Sequence, residues 1–146
     1  MNYNKKTTEK DKKEARKFLK KYNVRLHFVR KGWSSACVDT NLIEIDVREV
    51  KILSDLWSMV FHELSHILCA REGLYKKYHT THSNSRKFAI YMHRYGLRAE
   101  RFVDKKAAKL MKQYFPDMEY VANYNTEEGV RYYRKWLNRY YPINKK

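Results

Sequence analysis

Apolar residues occur at two different spacings in the first third of the chain. Up to about Tyr22 they recur every three or four positions, which predicts a helix that begins after Thr7 or Thr8 and stops near Asn23. Beyond this helix they alternate with polar residues, which is typical of strands that bury one face. We predict such strands at 24–28, 35–38 and 42–47.

The last of these strands has the most regular alternation. Ile43, Ile45 and Val47 are expected on one face, and Glu44 and Asp46 on the other. The strand directly precedes the most apolar predicted helix, so it can form a sheet edge beside a site on that helix. Free N–H and C=O groups on such an edge would accept an extended peptide. An ordinary solvent-facing strand fits the alternation equally well.

Helices are predicted for most of the remaining chain. The first of them is expected to run from an N-cap at Ser54 to about Arg71, with Gly73 just past its end. Gly96 is expected to end or kink a helix that begins near Ser85. Further helices are expected at 97–115, before Pro116, and from a cap at Asn125 or Thr126 to Pro142.

The helix that follows the strands combines an apolar surface with three polar residues at a specific spacing. The segment 60–68 reads VFHELSHIL, so His62 and His66 are one helical turn apart and can direct both imidazoles at one divalent ion. Glu63 lies within reach of a water on that ion, where it can act as a general base. A buried helix with two hydrogen-bonded histidines is the alternative. In either case these polar residues need partners inside the fold.

Charge and composition restrict the class of protein. The net charge of +16 comes from 32 Lys and Arg against 16 Asp and Glu, and it can attract nucleic acid or simply keep the surface solvated. No stretch approaches the ~20 apolar residues that span a membrane, and the lysine-rich start does not resemble a signal peptide. Cys37 and Cys69 are expected to be buried free thiols in a reducing compartment. We therefore expect a single, monomeric, cytoplasmic domain over residues 1–146 with no membrane partner.

A catalytic zinc ion needs a third protein ligand besides the two histidines. One candidate is Glu100, which lies one turn before Asp104 at the edge of an apolar helical stripe. Like charges at this spacing cost about 0.2–0.5 kcal/mol on an isolated helix. A metal bound by Glu100, with a ligand histidine bonded to Asp104, would reverse that cost. The other candidate is a histidine of the polar segment 74–84, either His82 or His79, although both also fit exposed loop positions.

The combination of HELSH at 62–66 with Glu-x-x-Val-Asp at 100–104 resembles the gluzincin zinc metallopeptidases. The small ImmA/IrrE-like and minigluzincin groups are the most similar in size and layout, and the resemblance covers roughly residues 42–115. It implies an α+β minimal zincin fold, with a small antiparallel or mixed sheet packed on the HExxH helix and with further helices. It also implies zinc on His62, His66 and Glu100, with Glu63 as base and acid and Asp104 as the partner of a ligand histidine.

The chain departs from the family at the residue that stabilises the transition state. The usual histidine or tyrosine has no motif here, and Tyr91, His93 and Tyr95 are only candidates by proximity. No helix-turn-helix segment accompanies the motif, so the resemblance does not imply cleavage of a repressor. A small, basic protein of this type would suit a phage or mobile element.

The sequence therefore predicts a zinc-dependent endopeptidase that acts on a protein or peptide substrate through a zinc-bound water activated by Glu63. A SprT-like protease acting on DNA-bound proteins, with His82 as the third ligand, is one alternative. A non-catalytic, zinc-stabilised binding protein with basic faces is another. The intact Glu63 argues against the latter, since a structural zinc site has no use for a base at that position.

Overall fold

A computed structural model describes residues 2–73 and 85–143, which form an α+β arrangement of helices around a small mixed sheet. The helices are α1 (Glu9–Lys20), α2 (Leu53–Arg71), α3 (Ser85–Tyr91), α4 (Leu97–Tyr114) and α5 (Glu127–Tyr140). The strands are β1 (Arg25–Val29), β2 (Ser35–Cys37) and β3 (Leu42–Asp46), with a 3₁₀ turn at Val47–Glu49. The expected α+β class is confirmed at this level. In the described part of the chain, no helix is both long enough and apolar enough to cross a membrane.

The sheet has the strand order β1–β3–β2. Strand β1 runs parallel to β3 and pairs Leu26 with Ile43, whereas β2 runs antiparallel to β3 and pairs Ala36 with Ile43. Burial of Leu26, Ile43 and Ile45 joins the sheet to the main core. The expectation that the third strand could form an edge is wrong, because β3 is central. Strand β2 is the edge that lies toward α2 and the candidate site.

The end of β3 also differs from the predicted alternation. Val47 leaves the strand and begins the 3₁₀ turn, and the Asp46 side chain has no solvent exposure. Its carboxylate accepts hydrogen bonds from the backbone N–H groups of Gly32 (2.6 Å) and Arg48 (2.9 Å) and pairs with the Arg48 guanidinium. The bonds to Arg48 outweigh burial and hold the pKa of Asp46 well below its usual range. Asp46 therefore ties the β1–β2 connection to the turn that leads into α2.

The central helix α2 is buried on nearly all sides, as its apolar surface predicts. Its N-cap is Ile52 rather than the expected Ser54, which is buried within the first turn. No side chain caps this end because the N-terminal segment satisfies the free N–H groups. Leu53 and Ser54 donate to the backbone oxygens of Lys5 and Tyr3, each at 2.9 Å. The N-terminal segment thus replaces the missing cap.

Helix α1 packs against both α2 and α4 through aromatic residues. The Phe18 ring lies 5.2 Å from Phe61 and 5.0 Å from Tyr114 of α4, measured between centroids. The hydroxyls of Tyr22 and Tyr114 lie 2.7 Å apart, and burial together with this bond raises the pKa of Tyr22 to about 12. The helix begins with the predicted Thr8 cap. This cluster positions α4 against α2.

The helix that begins at Ser85 continues past Gly96. A π-helical turn covers Met92–Gly96, and Gly96 itself has α-helical dihedral angles, so the chain passes directly into α4. A Cβ atom at Gly96 would overlap the Tyr133 hydroxyl of α5. Glycine is therefore required by the close approach of α5, and it does not terminate the helix.

The two cysteines lie in different environments. Cys69 is fully buried in α2 as expected, and burial raises the pKa of its thiol to about 11. The expectation that Cys37 is buried is wrong, because the last residue of β2 faces solvent at the edge of the sheet. Neither cysteine forms a disulfide.

Candidate metal centre

Helix α2 carries the three polar residues of the HExxH segment into the interior of the fold. His62 and Glu63 are only 3% and 5% exposed, and His66 is partly buried. The imidazole rings of His62 and His66 lie 5.0 Å apart, as residues one helical turn apart should. Both rings therefore border the same small volume.

Helix α4 brings two carboxylates to this volume. Its buried face includes Ala99 and Val103, which pack with Cys69 of α2, and the small Ala99 permits a close approach of the two helices. Glu100 and Asp104 follow directly after these two residues, so they lie at the edge of the interface between the helices. The expected one-turn spacing thus places both carboxylates beside the histidines.

Three side chains converge on one point. The Nε2 atoms of His62 and His66 lie 3.1 and 3.2 Å from the same atom, Oε2 of Glu100. One ligand atom from each of the three residues lies within 4.8 Å of the others. A single metal ion can therefore contact all three.

The donor atoms fit a cation. His62 Nδ1 lies 3.1 Å from Oδ1 of Asp104, and an ionised carboxylate can only accept, so Nδ1 carries the proton. In the neutral imidazole the lone pair of Nε2 then faces the Glu100 carboxylate, which is also an acceptor. Two acceptors at this distance repel each other unless a second proton or a metal ion lies between them. Two imidazoles and a carboxylate can hold a metal ion in this arrangement.

Asp104 fixes the orientation of His62. Its side chain has no solvent exposure, and besides His62 it accepts the Tyr120 hydroxyl at 2.6 Å and the backbone N–H of Tyr124 at 2.6 Å. The carboxylate thus joins α2, α4 and the segment between α4 and α5. Such a buried, fully bonded partner holds the imidazole in one tautomer and one direction.

Burial and charge act against each other on these groups. Burial lowers the pKa of His62, but its bonds to Asp104 and Glu100 raise it in the metal-free protein, to about 10. Burial raises the pKa of Glu100, and the two histidines outweigh burial and hold that pKa well below its usual range. Burial raises the pKa of Glu63, and the charges of the two nearby histidines offset only part of that rise. The carboxylates of Glu100 and Asp104 therefore favour a positive charge at the His62 imidazole.

A cleft of about 700 Å³ opens above this group of residues. His62, Glu63, His66 and Glu100 all line it. Residues 32–36, from the β1–β2 connection and β2, contribute to the lining, as do the segment 122–124 and the helix α5. Glu63 therefore borders a space that is large enough for part of a polypeptide.

The other candidates from the sequence do not join this site. Among the described residues, the cleft is lined by Met92 of the π turn but not by Tyr91, His93 or Tyr95. His93 instead donates from Nε2 to the backbone oxygen of Tyr141 at 2.8 Å, which holds the end of α5. His79 and His82 lie outside the described residues.

Several residues of the site had no signal in the sequence that we could interpret. Tyr120 and Tyr124 lie in an irregular segment, where no period predicts which side chains turn inward. The contribution of α5 to the site could have been inferred from the sequence, because aromatic residues recur along one side of that helix. They are Tyr132, Tyr133, Trp136 and Tyr140.

Comparison with known proteins adds no assignment: no family model, curated protein or solved structure matches the chain.

Proposed function

We propose that the protein is a zinc-dependent metallopeptidase with a minimal zincin fold. The observation that carries the proposal is the convergence of the Nε2 atoms of His62 and His66 on Oε2 of Glu100 at the floor of a cleft. Two histidines and one glutamate form a donor set of catalytic zinc sites, which leave a coordination position open. The position of Glu63 on the same floor distinguishes this arrangement from a closed structural site.

The chain's own residues would prepare the metal ligands. Asp104 holds the proton of His62 on Nδ1, so that Nε2 presents its lone pair to the ion. Glu100 supplies a negative charge, which lowers the cost of burying a divalent cation. When bound, zinc supplies Lewis acidity that polarises a carbonyl group and makes water nucleophilic near neutral pH.

Glu63 would carry the proton in the hydrolysis. Its carboxylate accepts a proton from the water as the oxygen bonds to the scissile carbonyl carbon. The same carboxylate then delivers that proton to the nitrogen as the C–N bond breaks. The deep position of Glu63, at 5% exposure, limits competing proton exchange with bulk water.

Substitution of Glu63 by glutamine tests the proposal. Glu63→Gln should retain about one zinc per chain and the native fold, because Glu63 is not a ligand. It should lose nearly all peptide hydrolysis, on the order of 10²–10⁴-fold, because an amide cannot accept the proton. Zinc content by elemental analysis and cleavage of a quenched fluorescent peptide library measure the two effects. Equal hydrolysis by both forms would refute the role of Glu63.

The same experiment separates the alternatives. Stoichiometric zinc without cleavage by the wild-type protein would favour a non-catalytic, zinc-stabilised binding protein. The SprT-like reading requires His82 as a ligand, and zinc binding that survives loss of Glu100 but not loss of His82 would favour it.

A further inference from the structure

Within the described part of the chain, the charged groups that line the cleft are opposite in sign to the net charge of the protein. Lysine and arginine outnumber aspartate and glutamate by 32 to 16 in the sequence. Among the described residues, however, no lysine or arginine lines the cleft, and four glutamates do: Glu49, Glu63, Glu100 and Glu128. A cleft lined by negative groups favours a ligand that carries positive charge.

Two of the four glutamates, Glu49 and Glu128, lie outside the metal centre. Glu63 and Glu100 belong to that centre, where the histidines and a divalent ion would balance them. Glu49 accepts a hydrogen bond from Ser34 Oγ at 2.8 Å but forms no ion pair with a described residue, since the neighbouring Arg48 is bound to Asp46. Burial raises the pKa of Glu49.

Glu128 is the second carboxylate of the cleft that lies outside the metal centre. It lies in the first turn of α5 and lines the cleft, whereas its neighbour Glu127 pairs with Arg131 at 3.5 Å. No ion pair joins Glu128 to any residue within 2–73 or 85–143. Glu49 and Glu128 therefore add two negative charges to the cleft from separate parts of the chain.

Aromatic rings make up much of the remaining lining. On α5, Tyr133 stacks on Trp136 with 5.8 Å between centroids, and Tyr124 packs edge-on against Tyr133 at 5.1 Å. Tyr132 and Trp33 also line the cleft and are 68% and 43% exposed. Aromatic faces next to carboxylates attract cations that have an apolar stem, as lysine and arginine side chains do.

We propose that the cleft selects a polypeptide segment with an arginine or lysine side chain next to the metal centre. Glu49 and Glu128 pair with the cationic head, and the rings of Trp136 and Tyr132 pack on its stem. The proposal rests on the proposed metallopeptidase site for its location, but it concerns binding and is tested without hydrolysis. It also implies that polyanions do not enter the cleft, even if they bind to the basic surface elsewhere.

Three peptides that differ at one central residue test the charge selection. This residue is arginine, its neutral isostere citrulline, or glutamate, and each peptide carries a neutral dye. Zinc-loaded Glu63→Gln protein, which prevents turnover, is titrated at about 0.15 M salt, where the long-range field of the positive chain is screened. Fluorescence anisotropy gives each Kd.

The arginine peptide should bind about tenfold more tightly than the citrulline peptide, at about two- to fivefold for each carboxylate. The glutamate peptide should bind most weakly. Adding Glu49→Gln and Glu128→Gln together should reduce the preference to within about twofold and leave citrulline binding unchanged. The matched control carries Glu9→Gln and Glu14→Gln on α1, which raise the net charge equally outside the cleft, and it should keep the preference.

Cleavage of the same peptides by the wild-type protein separates the two proposals. A preference for arginine in binding without any cleavage would refute the peptidase and support the charge selection. Cleavage with equal affinity for arginine and citrulline would support the peptidase and overturn the selection. Absence of peptide binding, or a preference that survives loss of Glu49 and Glu128, would also overturn it.

Discussion

The substitution Asp104→Asn should separate the charge of this carboxylate from its shape. The Asp104 side chain is fully buried and accepts His62 Nδ1, the Tyr120 hydroxyl and the Tyr124 amide at 3.1, 2.6 and 2.6 Å. Asparagine fills the same space but has one acceptor oxygen. With that oxygen toward His62, its NH₂ group meets the Tyr124 amide. In the opposite orientation, the NH₂ group meets both His62 and Tyr120.

Either orientation has a predictable cost. At least one buried donor loses its partner, which costs about 1–3 kcal/mol. For a chain of this length, about 2 kcal/mol lowers Tm by roughly 4–8 °C. When the NH₂ group faces His62, it favours the imidazole tautomer that is protonated on Nε2 and so cannot bind metal through that atom. We therefore expect zinc affinity to fall by about 10–100-fold.

Competition with a chromophoric zinc chelator measures the affinity, and thermal unfolding with and without EDTA measures stability. Tyr120→Phe is the matched variant, because it removes one donor to the carboxylate and leaves the bond to His62. It should lower stability by about 1 kcal/mol and change zinc affinity by less than about threefold. Asp117→Asn, on an exposed carboxylate, controls for the change in net charge. A folded Asp104→Asn protein with wild-type zinc affinity would refute the reasoning.

Three further predictions concern other parts of the molecule. Glu100→Ala should weaken zinc binding more than Asp104→Asn does, because it removes a ligand, and His82→Ala should change zinc binding little. The chelator assay measures these affinities, and the reverse order would contradict the prediction. Gly96→Ala should cost about 1–3 kcal/mol in urea unfolding, and adding Tyr133→Phe should recover part of it by removing the overlapping hydroxyl. The pKa of Tyr22 is about 12 in the folded protein, against 10.0 for an unperturbed tyrosine. The folded state thus retains a proton that the unfolded state loses, and stability should fall between pH 10 and 12, less steeply in Tyr22→Phe.

The sequence predicts best those features that depend on neighbours along the helix. The one-turn spacing of His62 and His66 is set by the helical period, and so is that of Glu100 and Asp104. The bond from Asp104 to His62 follows once α4 packs on α2 through small residues. Zinc itself and catalysis by Glu63 stay predictions.

The expectations that failed depend on features of the fold that the spacing of apolar and polar residues does not indicate. Ser54 has the composition of an N-cap, but backbone oxygens from the N-terminal segment already occupy the N–H groups that it would satisfy. Asp46 alternates like a solvent-facing residue, yet Arg48 and Gly32 complete its hydrogen bonds inside the fold. Cys37 follows apolar neighbours but ends an edge strand. The periodic spacing of apolar and polar residues along the chain does not indicate these contacts.

If the protein binds both a metal ion and a peptide, the three-way bonding of Asp104 couples these two binding events. The carboxylate that orients His62 also anchors the backbone of Tyr124, and the segment 122–124 lines the cleft. A ligand that stabilises this segment in its bonded position therefore favours the imidazole orientation that binds metal. Thermodynamic reciprocity then requires the metal to tighten the binding of that ligand by the same factor. The metal-free protein should accordingly be the weaker binder of peptides even where the peptide never touches the ion.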